Sequence, residues 1–125
     1  MTSRVEQAVQ KKAEGYNCAQ AVACTYCDLV HVDEETMRRI TGALGAGMGN
    51  MEGTCGAITG ACILAGFSPK MGPGFSRRIM TDFKESNGSV TCKELKGVGT
   101  GKVLRGCSDC VRDAASFVEQ AMFTE

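Results

Sequence analysis

The sequence has no tryptophan, only two prolines and only 6% aromatic residues. A core with so few large rings must be filled by small and aliphatic side chains at close packing, which favours helices. A run of about 18 apolar residues is also missing, so we expect no membrane-spanning segment. The first residues are polar and lack the apolar stretch of a secretory signal, so we expect a cytoplasmic location. A length of 125 residues suits one domain, which we expect to cover residues 1–125.

Neither sign of charge is in excess, because 14 lysines and arginines balance 14 aspartates and glutamates. Nucleic-acid binding needs a basic stripe, so we expect no nucleic-acid partner. Histidine is represented by His31 alone. A cysteine–histidine dyad would depend on this one residue, which argues against most hydrolase mechanisms.

Helical periodicity dominates the rest of the sequence. Apolar residues recur three and four positions apart, no segment alternates like a strand, and glycine-rich stretches separate the periodic ones. We therefore predict an all-α, single-domain bundle of about five to six helices with glycine-rich loops. The segments with helical spacing cover residues 3–14, 18–30, 34–44, 55–65, 77–85, 92–97 and 107–123.

Residues that favour helix N-caps precede most of these segments. Thr91 and Glu94 also have the spacing of a capping box, in which each side chain bonds the other's backbone amide. The predicted caps are Thr2 or Ser3, Asn17, Asp33, Thr54 and Thr91.

Eight cysteines are the most unusual feature of the composition. Without a secretory signal, this number predicts metal ligation or redox chemistry rather than a framework of disulfides. Four of the cysteines follow a cap residue or open a helix, which places them in a first helical turn. There, free amide groups and the helix dipole favour the thiolate, the form that binds metals and attacks disulfides. These four candidates for redox-active or ligand thiols are Cys18, Cys55, Cys92 and Cys107.

The other four cysteines are weaker candidates. Cys24 and Cys27 form one C-x-x-C pair within a helix, where burial in the core is the plainer explanation. Cys110 forms a second C-x-x-C pair with Cys107, and Cys62 follows Cys55 by two helical turns. Because this spacing serves zinc, iron–sulfur clusters and dithiols equally, we rank Cys110 and Cys62 as second candidates for a metal site.

Four motifs between residues 16 and 115 resemble one known family. They are GYNCAQAV, TCGAITG, NGSVTCKELKG and CSDCVRDAA, in this order. Together they are similar to the redox-active proteins named for a C…GCAxxG…C…C pattern. The resemblance implies that Cys18, Cys55, Cys92 and Cys107 are the signature thiols and that a bound iron–sulfur cluster is suspected. It also marks Gly56 and Gly60 of the C-G-A-x-x-G motif as residues near the cofactor.

Three functions remain open from the sequence. The leading one is electron transfer through an iron–sulfur cluster or other metal held by the four signature thiols. The second is a thiol–disulfide oxidoreductase without metal, and the third is a structural module that binds zinc or another soft metal. A protein whose cysteines are merely buried is the plain alternative to all three.

The expected partner is a redox protein that the sequence does not identify. Helix faces rich in alanine and glycine allow close packing and are compatible with a homodimer. We expect neither a membrane nor a nucleic acid as partner.

Overall fold

The computed structural model describes residues 3–72 and 74–123. Within these ranges the chain forms seven α-helices and no strand, which confirms the predicted all-α class. Six of the helices have seven or more residues, and a short one raises the number slightly above the prediction. The helices are α1 Val5–Ala13, α2 Cys18–Tyr26, α3 Glu34–Thr41, α4 Gly56–Phe67, α5 Phe75–Asn87, α6 Cys92–Leu95 and α7 Cys107–Phe123.

Two tighter turns connect these helices. A 3-10 turn at Cys27–Val30 ends α2 four residues earlier than predicted, and a π-type turn at Gly47–Met51 precedes α4. The second turn contains Met48 and Met51 with positive φ, and Ala46, which precedes it, has positive φ as well. The 3-10 turn explains why segment 18–30 overstates the length of α2: apolar spacing continues through a turn that no longer has α-helical hydrogen bonds. Segments 55–65 and 77–85 instead understate α4 and α5, which extend two residues further at one or both ends.

Helix α2 lies at the centre of the bundle. Eight of its nine residues are buried, as expected for a helix that is apolar on all sides. Its most extensive contact is with α4, and α1, α3 and α7 also pack against it. At the crossing with α4, a Cβ on Gly60 would lie only 2.5 Å from the carbonyl oxygen of Ala19. The missing side chain of Gly60 therefore lets the two backbones approach.

Two of the predicted N-caps are confirmed by their side-chain hydrogen bonds. Asn17 accepts from the amide of Gln20, whose side chain accepts from the amide of Asn17 in return. Asp33 accepts from the amide of Thr36 at the beginning of α3. The beginnings of α2 and α3 are thus determined by local sequence.

The remaining predicted caps need correction. Arg4 occupies the N-cap of α1, while Ser3 accepts from the amide of Val5 at 3.3 Å; Thr2 lies outside the described residues. Thr91 precedes α6, yet its side chain makes no cap bond, because the Glu94 carboxylate accepts from Ser89 instead. The predicted capping box is therefore wrong.

Helices α1, α2 and α7 are tied together by one polar network. The Glu119 carboxylate accepts from the Tyr26 hydroxyl at 2.5 Å and from the Arg4 amide at 2.7 Å. The Arg4 guanidinium in turn bonds Asp28, at the end of α2. This network holds the beginning of α1 against α7.

No helix in the described ranges combines the length and the apolar character needed to cross a bilayer.

Candidate functional site

Three of the four signature thiols open a helix, as predicted. Cys18, Cys92 and Cys107 are the first residues of α2, α6 and α7. Cys55 instead occupies the N-cap of α4, one position before the first turn. The prediction that Thr54 caps this helix is wrong, because Thr54 forms an isolated antiparallel bridge with Thr91 that keeps the chain extended up to Cys55.

The same bridge brings the beginnings of α4 and α6 together. The amide of Cys55 donates to the carbonyl oxygen of Val90 at 2.7 Å, and the amide of Cys92 donates to that of Gly53 at 3.0 Å. Backbone hydrogen bonds thus hold two thiol-bearing residues from distant parts of the sequence side by side.

Five cysteines and one lysine gather where these helices begin. The Cys110 thiol donates to the carbonyl oxygen of Arg105 at 3.7 Å and also interacts with the Cys55 thiol. The charges of Cys55 and Cys107 act on Cys18. The ammonium group of Lys96, at the end of α6, interacts with the thiols of Cys92 and Cys107. We call this group the thiol cluster; its members are Cys18, Cys55, Cys92, Cys107, Cys110 and Lys96.

Within the thiol cluster, Cys55 is the thiol most disposed to ionise. Interaction with the Cys110 thiol lowers the pKa of Cys55 to about 7, despite the opposing effect of burial. The amides of Ala57 and Ile58 and the charge of Lys96 also favour the thiolate. These amides lie at the open end of α4, although neither makes a regular cap bond to the side chain.

Cys110 is the member of this pair that is harder to ionise. Its interaction with the Cys55 sulfur, followed by burial and the charges of the neighbouring sulfurs, raises the pKa of Cys110 well above its usual value. Cys18 also stays protonated, because burial and the charges of Cys107 and Cys55 raise its pKa to about 12. Cys55, the thiol with the lowered pKa, therefore lies between two thiols, Cys18 and Cys110, whose pKa values are raised.

Lys96 supplies positive charge to the outer side of the thiol cluster. Burial alone would lower its pKa, but interaction with Cys92 and Cys107 outweighs burial and raises it. Sequence reasoning did not single out Lys96. The sequence feature that could have identified Lys96 is its spacing of four residues from Cys92, which places both residues on one side of a short helix.

Access from solvent differs sharply among the five thiols. Cys18, Cys55, Cys92 and Cys110 are only 2–4% exposed, whereas Cys107 is half-buried. Backbone covers the buried sulfurs closely: a Cβ on Gly47 would lie 2.5 Å from the Cβ of Cys92.

The two motif glycines contact backbone and side chains of the bundle. A Cβ on Gly56 would lie 3.3 Å from the Cβ of Cys18 and 3.2 Å from the carbonyl oxygen of Leu44. Gly60 faces Ala19, as described above. Gly56 therefore borders the thiol cluster, and Gly60 serves the contact between α2 and α4.

The remaining cysteines lie outside the thiol cluster. Cys62 lines a separate cavity of about 240 Å³ beside Phe75. Cys24 and Cys27 are buried where α2 ends, with the Cys27 sulfur 3.4 Å from the carbonyl oxygen of Cys24. Burial raises the pKa of all three thiols. Of the two second-rank candidates, the structure thus brings Cys110 to the signature thiols and leaves Cys62 apart.

The sulfurs do not form a ready metal centre in this conformation. Across residues 3–72 and 74–123, no three cysteine, histidine or acidic side chains are arranged to hold one metal ion. All eight cysteines are free thiols.

Comparisons with known proteins give a family for the chain. A search of curated proteins and a search of solved structures each found no match. The family model described as "Putative redox-active protein (C_GCAxxG_C_C)" matches residues 16–121, a stretch that includes the whole thiol cluster. The chain therefore belongs to the C_GCAxxG_C_C family of redox-active proteins.

Proposed function

We propose that the protein is a thiol–disulfide oxidoreductase whose redox centre is the pair Cys55 and Cys110. The observation that carries the proposal is the burial of both thiols near the beginnings of α4 and α7, two helices that pack against each other. Their interaction lowers the pKa of Cys55 to about 7 and raises that of Cys110. A thiol with a pKa near the ambient pH combines a large thiolate fraction with good nucleophilicity. We call Cys55 and Cys110 the inner pair.

The proposed reaction moves two electrons. With Cys55 as the thiolate, the inner pair loses one proton and two electrons and forms one disulfide, while a substrate disulfide gains the two electrons, takes that proton and one from water, and becomes two thiols. The thiol cluster favours this exchange because one member is ionised and its partner is in contact with it. The reverse direction, oxidation of a substrate dithiol, uses the same atoms.

The test is to determine which disulfide the protein forms. The reduced full chain is equilibrated without oxygen in buffers of reduced and oxidised glutathione, quenched with acid, alkylated and mapped by peptide mass spectrometry. We expect one dominant disulfide, Cys55–Cys110. Cys55→Ser and Cys110→Ser should each abolish it, whereas Cys62→Ser, which changes a thiol outside the cluster, should leave it intact. No intramolecular disulfide, or one that omits the inner pair, would disprove the proposal.

A second candidate is electron transfer through an iron–sulfur cluster. The donor chemistry fits, because the signature thiols Cys18, Cys55, Cys92 and Cys107 match the four thiolates that such clusters take, and helix beginnings favour anions. The arrangement does not fit directly, because no three potential ligands of the described residues surround one ion. A bound cluster would supply one-electron transfer, and the sulfurs would have to move towards it.

Metal analysis separates this candidate from the first. Protein purified without oxygen is assayed for iron, acid-labile sulfide and visible absorbance. Stoichiometric iron and sulfide would favour the cluster, while equimolar zinc with unreactive cysteines would favour a structural zinc site. We expect neither metal at stoichiometric level if the inner pair works as a dithiol.

A further inference from the structure

The inner pair is too deeply buried to meet a substrate disulfide. Cys55 is 3% exposed and Cys110 is 2% exposed, whereas the neighbouring Cys107 is half-buried. Thiol exchange needs in-line contact between the attacking sulfur and a disulfide sulfur, so the substrate must first react elsewhere.

We infer that Cys107 is the outer thiol, which attacks the substrate disulfide and passes the oxidation to Cys55 through Cys110. This inference rests on the proposed function. It adds a route, an order of steps and a class of substrate.

The order of the thiols follows from their positions on α7. Cys107 and Cys110 are three residues apart, which puts their Cβ atoms about 5–6 Å apart on one side of a regular helix. Helices α4 and α7 pack against each other, and the Cys110 thiol interacts with that of Cys55 at the beginning of α4. Cys110 therefore stands between the outer thiol and Cys55.

A disulfide between Cys107 and Cys110 is the intermediate of this route. The C-x-x-C spacing at the beginning of a helix allows such a bond. A further exchange moves the oxidation to Cys55 and Cys110, two buried sulfurs on different helices.

The exchange balances in three steps. First, Cys107 attacks one sulfur of the substrate disulfide, a mixed disulfide forms and one substrate thiol leaves. Second, Cys110 gives its proton to the Cys55 thiolate and attacks the Cys107 sulfur, and the second substrate sulfur leaves as a thiolate that takes a proton from water. Third, Cys55 gives its proton to the Cys107 sulfur as it attacks Cys110, so the Cys55–Cys110 disulfide forms and Cys107 returns to its thiol form. The two electrons lost by the inner pair end on the two substrate sulfurs, which receive one proton from Cys107 in the first step and one from water in the second.

The surroundings of Cys107 point to a peptide or protein disulfide. The loop before Cys107 exposes Val98, Val103 and Leu104, which are 45%, 63% and 40% exposed. The loop folds back on itself, since a Cβ on Gly97 would lie 2.8 Å from the amide nitrogen of Val103. Exposed apolar side chains in the loop that leads to a reactive thiol suit a peptide better than a small, highly charged disulfide.

Lys96 carries a positive charge next to the outer thiol. Interaction with Cys92 and Cys107 outweighs burial and raises the pKa of Lys96, so its ammonium group stays charged.

The first test traps the mixed disulfide. Reduced full-length Cys110→Ser protein is treated without oxygen with an apolar peptide whose single cysteine is joined to thionitrobenzoate. We expect one peptide adduct per chain, located on Cys107 by peptide mapping. An adduct located mainly on Cys18, Cys55 or Cys92 would overturn the inference.

The second test measures the rate of inner-pair oxidation by the same peptide disulfide. Cys107→Ser should slow formation of Cys55–Cys110 by about tenfold or more, because direct access to the buried pair is restricted. Cys107→Ala should behave alike, and Cys62→Ser, the matched control outside the cluster, should react at the wild-type rate. Glutathione disulfide, used in parallel, should react more slowly than the peptide; equal or faster reaction would remove the assigned substrate class.

The two proposals fail separately in these experiments. If the wild-type protein never forms Cys55–Cys110 with any disulfide, the proposed function fails. If it forms this bond and Cys107→Ser does so at an undiminished rate, only the role of Cys107 fails.

Discussion

At the scale of single residues, the chemistry depends on unequal surroundings for similar thiols. Cys55 and Cys110 have the same side chain, yet contact with Cys110 and the amides that open α4 favour the thiolate at Cys55, while Cys110 keeps its proton. The charge of Lys96 adds to this difference. For Cys110 to be the more easily ionised thiol, the free amides of a helix beginning and the charge of Lys96 would have to lie next to Cys110 instead of Cys55.

We expect Lys96→Met to make Cys55 harder to ionise. Removal of the cation should raise the pKa of Cys55 above about 7, by up to about one unit for the loss of one nearby opposite charge. The measurement is the pH profile of iodoacetamide labelling at Cys55, followed by peptide mass spectrometry, because the midpoint of that profile does not depend on access. Lys96→Arg should restore most of the profile.

Lys102→Met serves as the matched control, since Lys102 is an exposed lysine of the neighbouring loop. Its midpoint should equal that of the wild type. A Lys96→Met midpoint that also equals the wild type would show that the ammonium group does not act on Cys55.

At the scale of helices, the thiol cluster depends on how closely α2 and α4 approach. The two helices carry Cys18 and Cys55 at or next to their beginnings, and Gly60 determines their separation through its contact with Ala19. Any side chain at Gly60 meets backbone, which cannot move as a side-chain tip can.

Gly60→Ala should therefore destabilise the fold. The new methyl group would lie 2.5 Å from the Ala19 carbonyl oxygen, and overpacking of this kind costs about 1–3 kcal/mol of unfolding free energy. Gly66→Ala is the control on the same helix, because nothing lies within 4 Å of its Cβ position. That change should be neutral or stabilise by up to about 1 kcal/mol through helix propensity.

Urea unfolding followed by circular dichroism measures both variants. Equal free energies for the two would mean that the α2–α4 contact relaxes without cost.

The polar network of α1, α2 and α7 predicts a dependence on acid. Hydrogen bonds from Tyr26, Arg4 and Ser3 outweigh burial and lower the pKa of Glu119 below its usual value. A depressed carboxyl pKa stabilises the folded state above the unfolded pKa of about 4.5, and this contribution is lost as the pH falls through the folded pKa.

Tyr26→Phe should lower the unfolding free energy at pH 7 by about 1.5–3 kcal/mol, the usual cost of a hydrogen bond to a charged group. The deficit should shrink as the pH falls below about 4.5, because the wild type then loses the same interaction. Urea titrations of both proteins between neutral and acid pH provide the measurement, and a deficit that is independent of pH would assign the loss to packing alone.

At the scale of the whole molecule, oxidation of the inner pair should change stability. A Cys55–Cys110 disulfide joins α4 to α7 and closes a loop of about 55 residues, which restricts the unfolded chain by up to about 4 kcal/mol. We expect the oxidised protein to unfold at higher urea concentration than the reduced one. The urea concentration at which Cys110→Ser unfolds should not change with oxidant. An oxidised protein that carries this bond but is less stable would mean that the folded state is strained by it.

Much of the helical architecture was predictable because it depends on residues that are close together in the sequence. The spacing of apolar residues identified the helices, and Asn17 and Asp33 determined where α2 and α3 begin through bonds to amides three residues away. The same logic failed for Thr91 and Glu94, because Ser89 binds both groups that the box would join: it donates to the Glu94 carboxylate and accepts from the Thr91 amide.

The sequence by itself determined the fold class, most helix beginnings and the presence of thiols at those beginnings, since each depends on residues within one or two helical turns. Only the tertiary structure decided that Cys110 rather than Cys62 joins the signature thiols and that Lys96 interacts with them. It also decided that Cys107 is half-buried while the other four thiols of the cluster are buried. Helical spacing shows which residues share one side of a helix, but not which side faces which neighbour. That choice is made when α2, α4 and α7 bury their apolar surfaces together, and it is this packing that gives each sulfur its partner and its access to solvent.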